Sequence, residues 1–282
     1  GYISAISMQE SKNTLEDSIV MGWPVNIHII GKDILRFHAI YWPAMLLSAG
    51  ISPPKKVFGH GFLTREGQKM GKSLGNILDP DILLTKYGSE AVRWYLLKDI
   101  ALGNDGDFQN KRFVDIINND LANTIGNLLN RSSSMSRKWF NNKTPNQEDK
   151  NNSKIKDYAN KTIDKYLAFF EKYKIDLASN EILKFAIFVN LYLNDNQPWT
   201  LIKDDKNIED VKFIIYNVLE SCRVIGLLLQ PILPNLSCNI LLQLGQLNND
   251  NKSWKEKLNW GLLPIDYELP KPKPIINKLD YD

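Results

Sequence analysis

Apolar and polar positions alternate from Val25 to Gly31 and the run closes on glycine, which predicts a short strand with one buried face. The period then changes. Ile34, Phe37, Tyr41, Met45 and Leu46 recur at helical spacing as far as Ser48, with Asp33 placed to cap the helix, Gly50 to end it and Pro43 to bend it near its middle. After Pro53-Pro54, Lys56–His60 reads as a second strand. Residues 25–60 are therefore expected to form a strand–helix–strand unit with a parallel pair and a right-handed crossover. In such units ligands bind beyond the carboxyl ends of the strands, here Gly31-Lys32-Asp33 and Gly59-His60-Gly61. Residues 62–80 hold Gly67, Gly71, Gly75, Asn76 and Pro80, too much turn chemistry for a regular element. They predict a mobile basic loop carrying Lys69 and Lys72. Two short helices follow, Pro80–Tyr87 and Ser89–Lys98, the second with Ser89 as N-cap and Glu90 in its first turn.

From about Phe108 onward the strand period is lost. Helical period runs through Val114–Met135, Lys154–Tyr173, Ser179–Leu193, Asp210–Leu229 and Asn235–Leu244, and predicts a helix bundle. Asn141–Ser153 reads as a solvated loop, and Pro270–Pro274 as an extended tail lying back along the surface. The fold class is thus α/β followed by all-α, with no internal repeat.

Composition narrows the field only a little. The 282 residues suffice for about two domains. At 43% hydrophobic and 24% charged the chain is of globular type, which sets aside disordered, collagen-like and membrane-spanning classes. A net charge of +3 says nothing of partners, so any nucleic-acid role must rest on particular residues. Cys222 and Cys238 lack CxxC spacing and histidine companions, against both a zinc site and a disulfide framework and in favour of a reducing cytoplasm. Val224–Leu236, the longest apolar stretch, is broken by Gln230, Pro231 and Pro234 and is too short to span a bilayer. The opening Gly1-Tyr2-Ile3-Ser4-Ala5 has no initiator Met and reads as mid-domain, so a fragment of a longer protein is expected.

Chemistry is concentrated in a few places. Lys69-Met70-Gly71-Lys72-Ser73-Leu74-Gly75-Asn76 puts two lysines on a glycine-rich loop, where they can neutralise charge on a departing pyrophosphate. It is not a Walker A loop, since Glu66 stands where that motif needs glycine, and a plain solvated loop is the alternative reading. Asp33 can cap a helix, accept from a ribose diol, or do both. His38, five residues along the helix, reads from the residues alone as a buried core histidine. Asn127 and Arg131, four apart, share a helix face and can read base edges. Trp199 follows Pro198 beyond the stripe of Ile182, Phe185, Val189 and Leu193, and is either a stacking platform or a packing residue.

Taken in order, the run Gly31-Lys32-Asp33-Ile34-Leu35-Arg36-Phe37-His38-Ala39-Ile40-Tyr41-Trp42-Pro43, then Phe58-Gly59-His60-Gly61, then Lys69-Met70-Gly71-Lys72-Ser73 resemble the carboxy-terminal half of methionyl-tRNA synthetases. Asn127-Leu128-Leu129-Asn130-Arg131 and Pro198-Trp199 add further marks of that family, so the resemblance covers nearly the whole chain. The loop alone would indicate only a class I aminoacyl-tRNA synthetase. The run from Gly31 to Pro43 selects the methionine enzyme among its leucine, valine, isoleucine and cysteine relatives.

The resemblance implies three regions. Residues 1–61 would be the carboxy-terminal part of a Rossmann-like class I catalytic domain, and residues 62–113 a KMSKS-type loop with a stem-contact region. Residues 114–282 would be a helical anticodon-binding domain with its tail. It implies ATP-dependent joining of L-methionine to initiator and elongator methionine tRNA through methionyl-adenylate, with ATP and Mg²⁺. No metal ligand is expected in this chain, and any zinc belongs to the absent amino-terminal half. By the resemblance Lys72, Lys69 and Ser73 act in catalysis, and Asp33, Gly31, His60 and Lys72 hold ATP. Tyr2, Ile34 and His38 hold methionine, and Asn127, Arg131 and Trp199 read the CAU anticodon. Two positions depart from the family pattern: Gly71 stands where serine is usual, and Asn194, next to Asp195, where an acidic residue is usual. Because the half with the HIGH-type motif and the zinc-bearing insertion is absent, the chain alone is expected not to form the adenylate. A monomeric, non-membrane parent is expected. Two other readings stay open: an anticodon-binding module without catalysis, and a class I synthetase for another amino acid.

Overall fold

A computed structural model describes residues 1–7, 14–146, 154–246 and 252–281. The chain divides into two compact units, Gly1–Thr64 with Leu102–Gly106, and Arg65–Ala101 with Asp107–Asp282.

The first unit opens with two short helices, α1 (Ser4–Ser7) and α2 (Leu15–Val20), the latter begun by a capping box between Thr14 and Asp17. Strand β1 (His28–Gly31) then pairs in parallel with β2 (Val57–His60), in a register that sets His28 against Val57 and Gly31 against His60. Along β1, His28 and Ile30 are buried while Ile29 is 60% exposed, the period-2 alternation expected of a half-covered strand. The connection is the expected helical one, but not a single bent helix. A 3₁₀ turn (Lys32–Ile34) and a π turn (Phe37–Tyr41) precede α3 (Trp42–Ser48), with Pro43 in its first turn. Proline has no N–H to offer the preceding turn and its ring crowds the carbonyl four residues back, so the chain widens there and the Trp42 N–H reaches back to Phe37 O. Asp33 is not the cap that was expected. It lies inside the 3₁₀ turn, whose N-cap is Gly31 and has no side-chain capping bond.

Residues 62–80 also depart from expectation, for they hold strands β3 (Leu63–Arg65) and β4 (Gln68–Lys69) and a 3₁₀ turn at Lys72–Leu74. Together with β5 (Gly106–Phe108) the strands form a sheet in the order β4-β3-β5. Glu66 and Gly67 both take positive φ, 49° and 75°, the two-residue connection that suits the twist of a hairpin.

In the second unit α4 (Pro80–Tyr87) is capped by Asp79, whose carboxylate accepts from Asp81 N. Helix α5 (Ser89–Asp99) begins from Gly88 at φ 79°, so Ser89 is its first residue rather than its cap. The single helix expected over 114–135 is three consecutive pieces: α6 (Asn110–Ile116), a ten-residue π segment (Ile117–Gly126) and α7 (Asn127–Trp139). Then come α8 (Lys154–Glu171), α9 (Ile175–Asn196), α10 (Pro198–Leu201), α11 (Ile208–Leu229), α12 (Pro234–Gln243) and α13 (Trp254–Lys257). Every residue of α11 from Ile214 to Leu229 is buried, the polar Asn217, Glu220, Ser221 and Arg223 included, and α7, α8, α9, α10 and α12 pack against it.

Of the loop expected at 141–153, residues 147–153 lie outside the described residues. Its first part is tied down rather than solvated: buried Thr144 donates to Pro264 O at 2.7 Å and accepts from Tyr267 N at 2.9 Å. The tail continues along the surface. Gln243 exchanges two hydrogen bonds with the Lys273 backbone, Asn118 does the same with Leu279, and Arg137 donates to Leu269 O. Among the described residues no helix is long and apolar enough to cross a membrane.

Candidate functional site

The predicted residues fall into four groups, two in the first unit and two in the second. At the carboxyl ends of the parallel pair, Gly31 and His60 face one another across the register, with Asp33 exposed one turn on. His60 Nδ1–H donates to Gly61 O at 2.9 Å. Gly61 cannot be replaced, because a Cβ there would sit 2.0 Å from Asn104 O. Lys32 Nζ grips both oxygens of Asp105, at 2.6 and 2.7 Å, and lies 4.9 Å from the Phe62 ring centroid. That hydrogen bond, with a second from Phe62 N, holds the Asp105 carboxyl below its ordinary range. The strand ends thus present backbone and charge to a polar ligand, as open α/β sheets do.

Beneath that edge the structure brings Tyr2, His38 and Ile34 together. His38 Nδ1 lies 3.0 Å from Ile34 O, and a carbonyl only accepts, so Nδ1 carries the proton. In the neutral ring Nε2 is then the acceptor for the Tyr2 hydroxyl, 2.7 Å away. Three residues that sequence reasoning missed complete this group: Trp23, His28 and Trp42. The Tyr2 ring lies 4.8 Å from His28, 5.6 Å from His38 and 6.1 Å from Trp42, and Trp23 closes on His28 and Trp42 at 6.3 Å each. Burial first, and His38 second, lower the His28 pKa, which favours the neutral ring. Two buried atoms here, His28 Nδ1 and Trp42 Nε1, have no hydrogen-bond partner, while Trp23 Nε1 donates to Ser52 O at 2.9 Å. Signals for two of the three were present: His28 lies on the buried face of β1 with Ile30, and Trp42 follows His38 by four.

The second unit holds the other two clusters, each described by itself. Lys69 at the end of β4, and Lys72 and Ser73 in the turn that follows it, are all exposed. The shape of this loop is fixed by Asn76, whose Oδ1 accepts from Gly71 N at 2.9 Å and whose amide donates to Lys69 O at 3.1 Å. Gly71 is extended at φ −152°, and a Cβ there would meet Leu74 at an ordinary 3.7 Å, so the geometry does not require glycine. Far along the chain, Arg131 on α7 donates to Asn194 Oδ1 on α9 at 3.0 Å, and its guanidinium lies 5.7 Å from the Trp199 ring centroid. Gln197, left-handed at φ 43°, ends α9 and lets Pro198 start α10, which turns Trp199 outward at 38% exposure. Asn127 is exposed one turn before Arg131. A planar cation, an amide and a half-exposed indole together suit unstacked bases. Among the described residues no three His, Cys, Asp or Glu side chains gather as metal ligands.

The comparisons with known proteins divide the chain between two families. Residues 1–133 match the model of class I (M) tRNA synthetases, and residues 143–280 that of the anticodon binding domain of methionyl tRNA ligase. The methionine–tRNA ligase of Nostoc sp. is 43% identical over 99% of this chain and 54% of its own length, and the chloroplastic/mitochondrial enzyme of Arabidopsis thaliana is 40% identical over 99% and 46%. The solved structure of Mycobacterium tuberculosis methionyl-tRNA synthetase in complex with methionyl-adenylate superposes with a TM-score of 0.85 at 35% identity, over 98% of this chain and 54% of that one. These matches are to class I tRNA synthetases. The chain belongs to the methionine–tRNA ligase family, and it spans about half the length of the curated relatives it matches.

Proposed function

We propose that this chain contributes the methionine pocket, the lysine loop and the anticodon-reading helices of an ATP-dependent methionine–tRNA ligase. The cage of Tyr2, Trp23, His28, His38 and Trp42 carries the proposal. It is aromatic enough to sheathe a thioether side chain, and His38 consumes the Tyr2 proton, leaving the hydroxyl oxygen's lone pairs and two unpartnered ring nitrogens for ligand atoms. Ile34 lines the same pocket. At the strand ends Gly31, Asp33 and His60 hold the nucleotide, the Asp33 carboxylate accepting from the ribose diol. Lys72, with Lys69 and Ser73 beside it, neutralises charge as the methionine carboxylate displaces pyrophosphate from ATP to form methionyl-adenylate. Mg²⁺ comes with the triphosphate, and no side chain of this chain is assigned to it. Asn127, Arg131 and Trp199 read the CAU anticodon of initiator and elongator methionine tRNA. In regional terms, 1–61 belongs to the Rossmann-like domain, 62–113 to the loop and stem-contact region, and 114–282 to the anticodon-binding domain. The setting is the cytoplasm, and the working enzyme is a monomer.

The test is methionine-dependent ATP–pyrophosphate exchange by this chain alone and by the chain joined to the remaining half of the Nostoc relative. Exchange is expected only in the joined protein and lost on Lys72→Ala. A folded joined protein that exchanges no pyrophosphate with methionine refutes the proposal. Separately, the chain alone is expected to bind a CAU hairpin, with Trp199→Ala weakening binding by about 5- to 100-fold, one stacked base.

A further inference from the structure

The π segment Ile117–Gly126 runs without a break into Asn127, the first residue of α7. Asn127 makes the last wide bond itself, its N–H reaching back to Ala122 O. Each i→i+5 turn admits about one residue more than an α turn. One residue in a 3.6-residue turn is about 100° of rotation. If a single wide turn reverted to α-helix, Asn127 and Arg131 would swing by about that angle and leave the face that meets Asn194 and Trp199. The register of this segment therefore decides which side chains read a base.

That register is held from two sides by side chains outside the binding surface. From α5, fully buried Trp94 donates Nε1–H to Asp120 Oδ2 at 3.0 Å, and Lys98 Nζ pairs with the same oxygen at 3.3 Å. The Lys98 and Asp120 side chains are only 18% and 16% exposed, so this ion pair is shielded from solvent. From α9, the Asn190 amide donates both to Thr124 O at 3.2 Å and to Ala186 O of its own helix at 2.9 Å, which ties the π segment to the helix that bears Asn194 one turn later. Within the segment, Thr124 Oγ1 donates to Asn119 O, five residues back, at 2.7 Å.

We infer that Asp120 and Asn190 are positioning residues for base recognition: they lock the π segment in the register that presents Asn127 and Arg131 beside Asn194 and Trp199. This rests on the anticodon reading above and deepens it, because neither residue touches RNA. A merely stabilising residue lowers the folded fraction and weakens every RNA alike. A positioning residue changes the ratio between a matched and a mismatched RNA, which the folded fraction cannot alter.

The experiment measures binding of this chain to two RNA hairpins that differ only in the loop triplet, CAU against GAU. The wild-type chain is expected to prefer CAU. Asp120→Ala and Asn190→Ala are expected to cut that preference by at least about tenfold, the size of one lost bidentate base contact, with GAU binding unchanged. Asp120→Asn, which keeps an acceptor for Trp94 Nε1, is expected to restore most of the preference. Should Asp120→Ala fail to fold, Lys98→Met and Asn190→Ala carry the same test. Unchanged preference in folded Asn190→Ala and in folded Asp120→Ala or Lys98→Met, with a discriminating wild type, overturns the inference alone. A wild-type chain that binds both hairpins equally overturns the anticodon reading, and the inference with it.

Discussion

Replacing Glu220 should come close to unfolding the helical unit, and the size of the effect follows from what its carboxylate holds. Glu220 and Arg223 are 0% exposed, one turn apart on the central helix α11. The carboxylate accepts from Arg223 Nε and Nη2 at 2.8 and 2.6 Å, and also from the backbone N–H groups of Gly261, Leu262 and Leu263 at 2.6, 3.2 and 2.9 Å. Arg223 in turn donates to Lys257 O and Asn259 O, each at 2.6 Å. Glu220→Leu removes one partner of a buried pair, a loss of about 3–5 kcal/mol. It also orphans the fully buried Leu263 N–H, for about 1–3 kcal/mol more. The total, about 4–8 kcal/mol, rivals the whole stability of a typical domain.

The double variant Glu220→Leu/Arg223→Met makes the sharper test. In a simple buried ion pair, replacing both partners by apolar groups is often neutral or stabilising. Here the pair also serves three N–H and two C=O groups of residues 257–263, which apolar side chains cannot satisfy. At about 1 kcal/mol for each, the double variant should remain about 3–5 kcal/mol less stable than wild type. Urea unfolding followed by far-ultraviolet circular dichroism measures both. A double variant within about 1 kcal/mol of wild type would show that the backbone groups find other partners, and the reasoning would fail.

Three further outcomes are expected. His28 has a folded pKa below its ordinary 6.5, so the unfolded chain binds the proton more readily; the stability its neutral ring confers is full above 6.5 and is lost as pH falls from 6.5 to the lowered folded value. His28→Gln should flatten that stretch of the stability–pH profile measured by urea unfolding, so the wild-type-minus-variant difference falls as pH drops there, and a variant slope equal to the wild type's refutes the assignment. Gly71→Ser, with extended backbone and free space for a Cβ, should leave the midpoint unchanged or raise stability by up to about 1 kcal/mol, whereas a measurable loss would mean that the loop needs glycine. Burial pushes the Cys222 thiol up to about 12, while Cys238 is exposed; a thiol reagent should label one cysteine per native chain and both after unfolding, and rapid native labelling of both contradicts the buried setting.

The strand–helix–strand unit was legible because the apolar period switches from 2 to about 3.6 and back within one stretch, and Gly31 and Gly61 mark where the strands stop. Arg131 and Trp199 stood out in the sequence as residue types, while their 5.7 Å approach depends on a left-handed Gln197 that no local preference for glycine or asparagine announces. The hairpin at Glu66-Gly67 was missed for a related reason, since glutamate is an unusual occupant of a positive-φ turn position. Both π segments were unreadable, because no residue type marks a wide helical turn. The aromatic cage shows a different limit. His28, His38 and Trp42 come from separate elements, and only the parallel pairing of β1 and β2 with the helical return between them brings these rings within reach of Tyr2.

The features missing from the sequence reading share a mechanical logic. Among the described residues wide helical turns occur at two places, before Trp42 of the cage and before Asn127 of the proposed base-reading surface, and in each the turn sets the rotation of the residue that follows it. A π turn is less stable than the α turn it displaces, so something must hold it. At Phe37–Tyr41 the holder is covalent, the proline at position 43. At Ile117–Gly126 it is tertiary: Trp94 and Lys98 of α5 on Asp120 from one side, Asn190 from another, and the Asn118–Leu279 clamp of the tail. Through α13 and the segment after it, that tail is anchored on the buried Glu220–Arg223 pair. The pair and the π segment are therefore parts of one support. Weakening Glu220 is expected to loosen base discrimination before it unfolds the helices, a sequence of events that hairpin binding followed across a urea series would display as a CAU preference lost at lower urea than the helical signal.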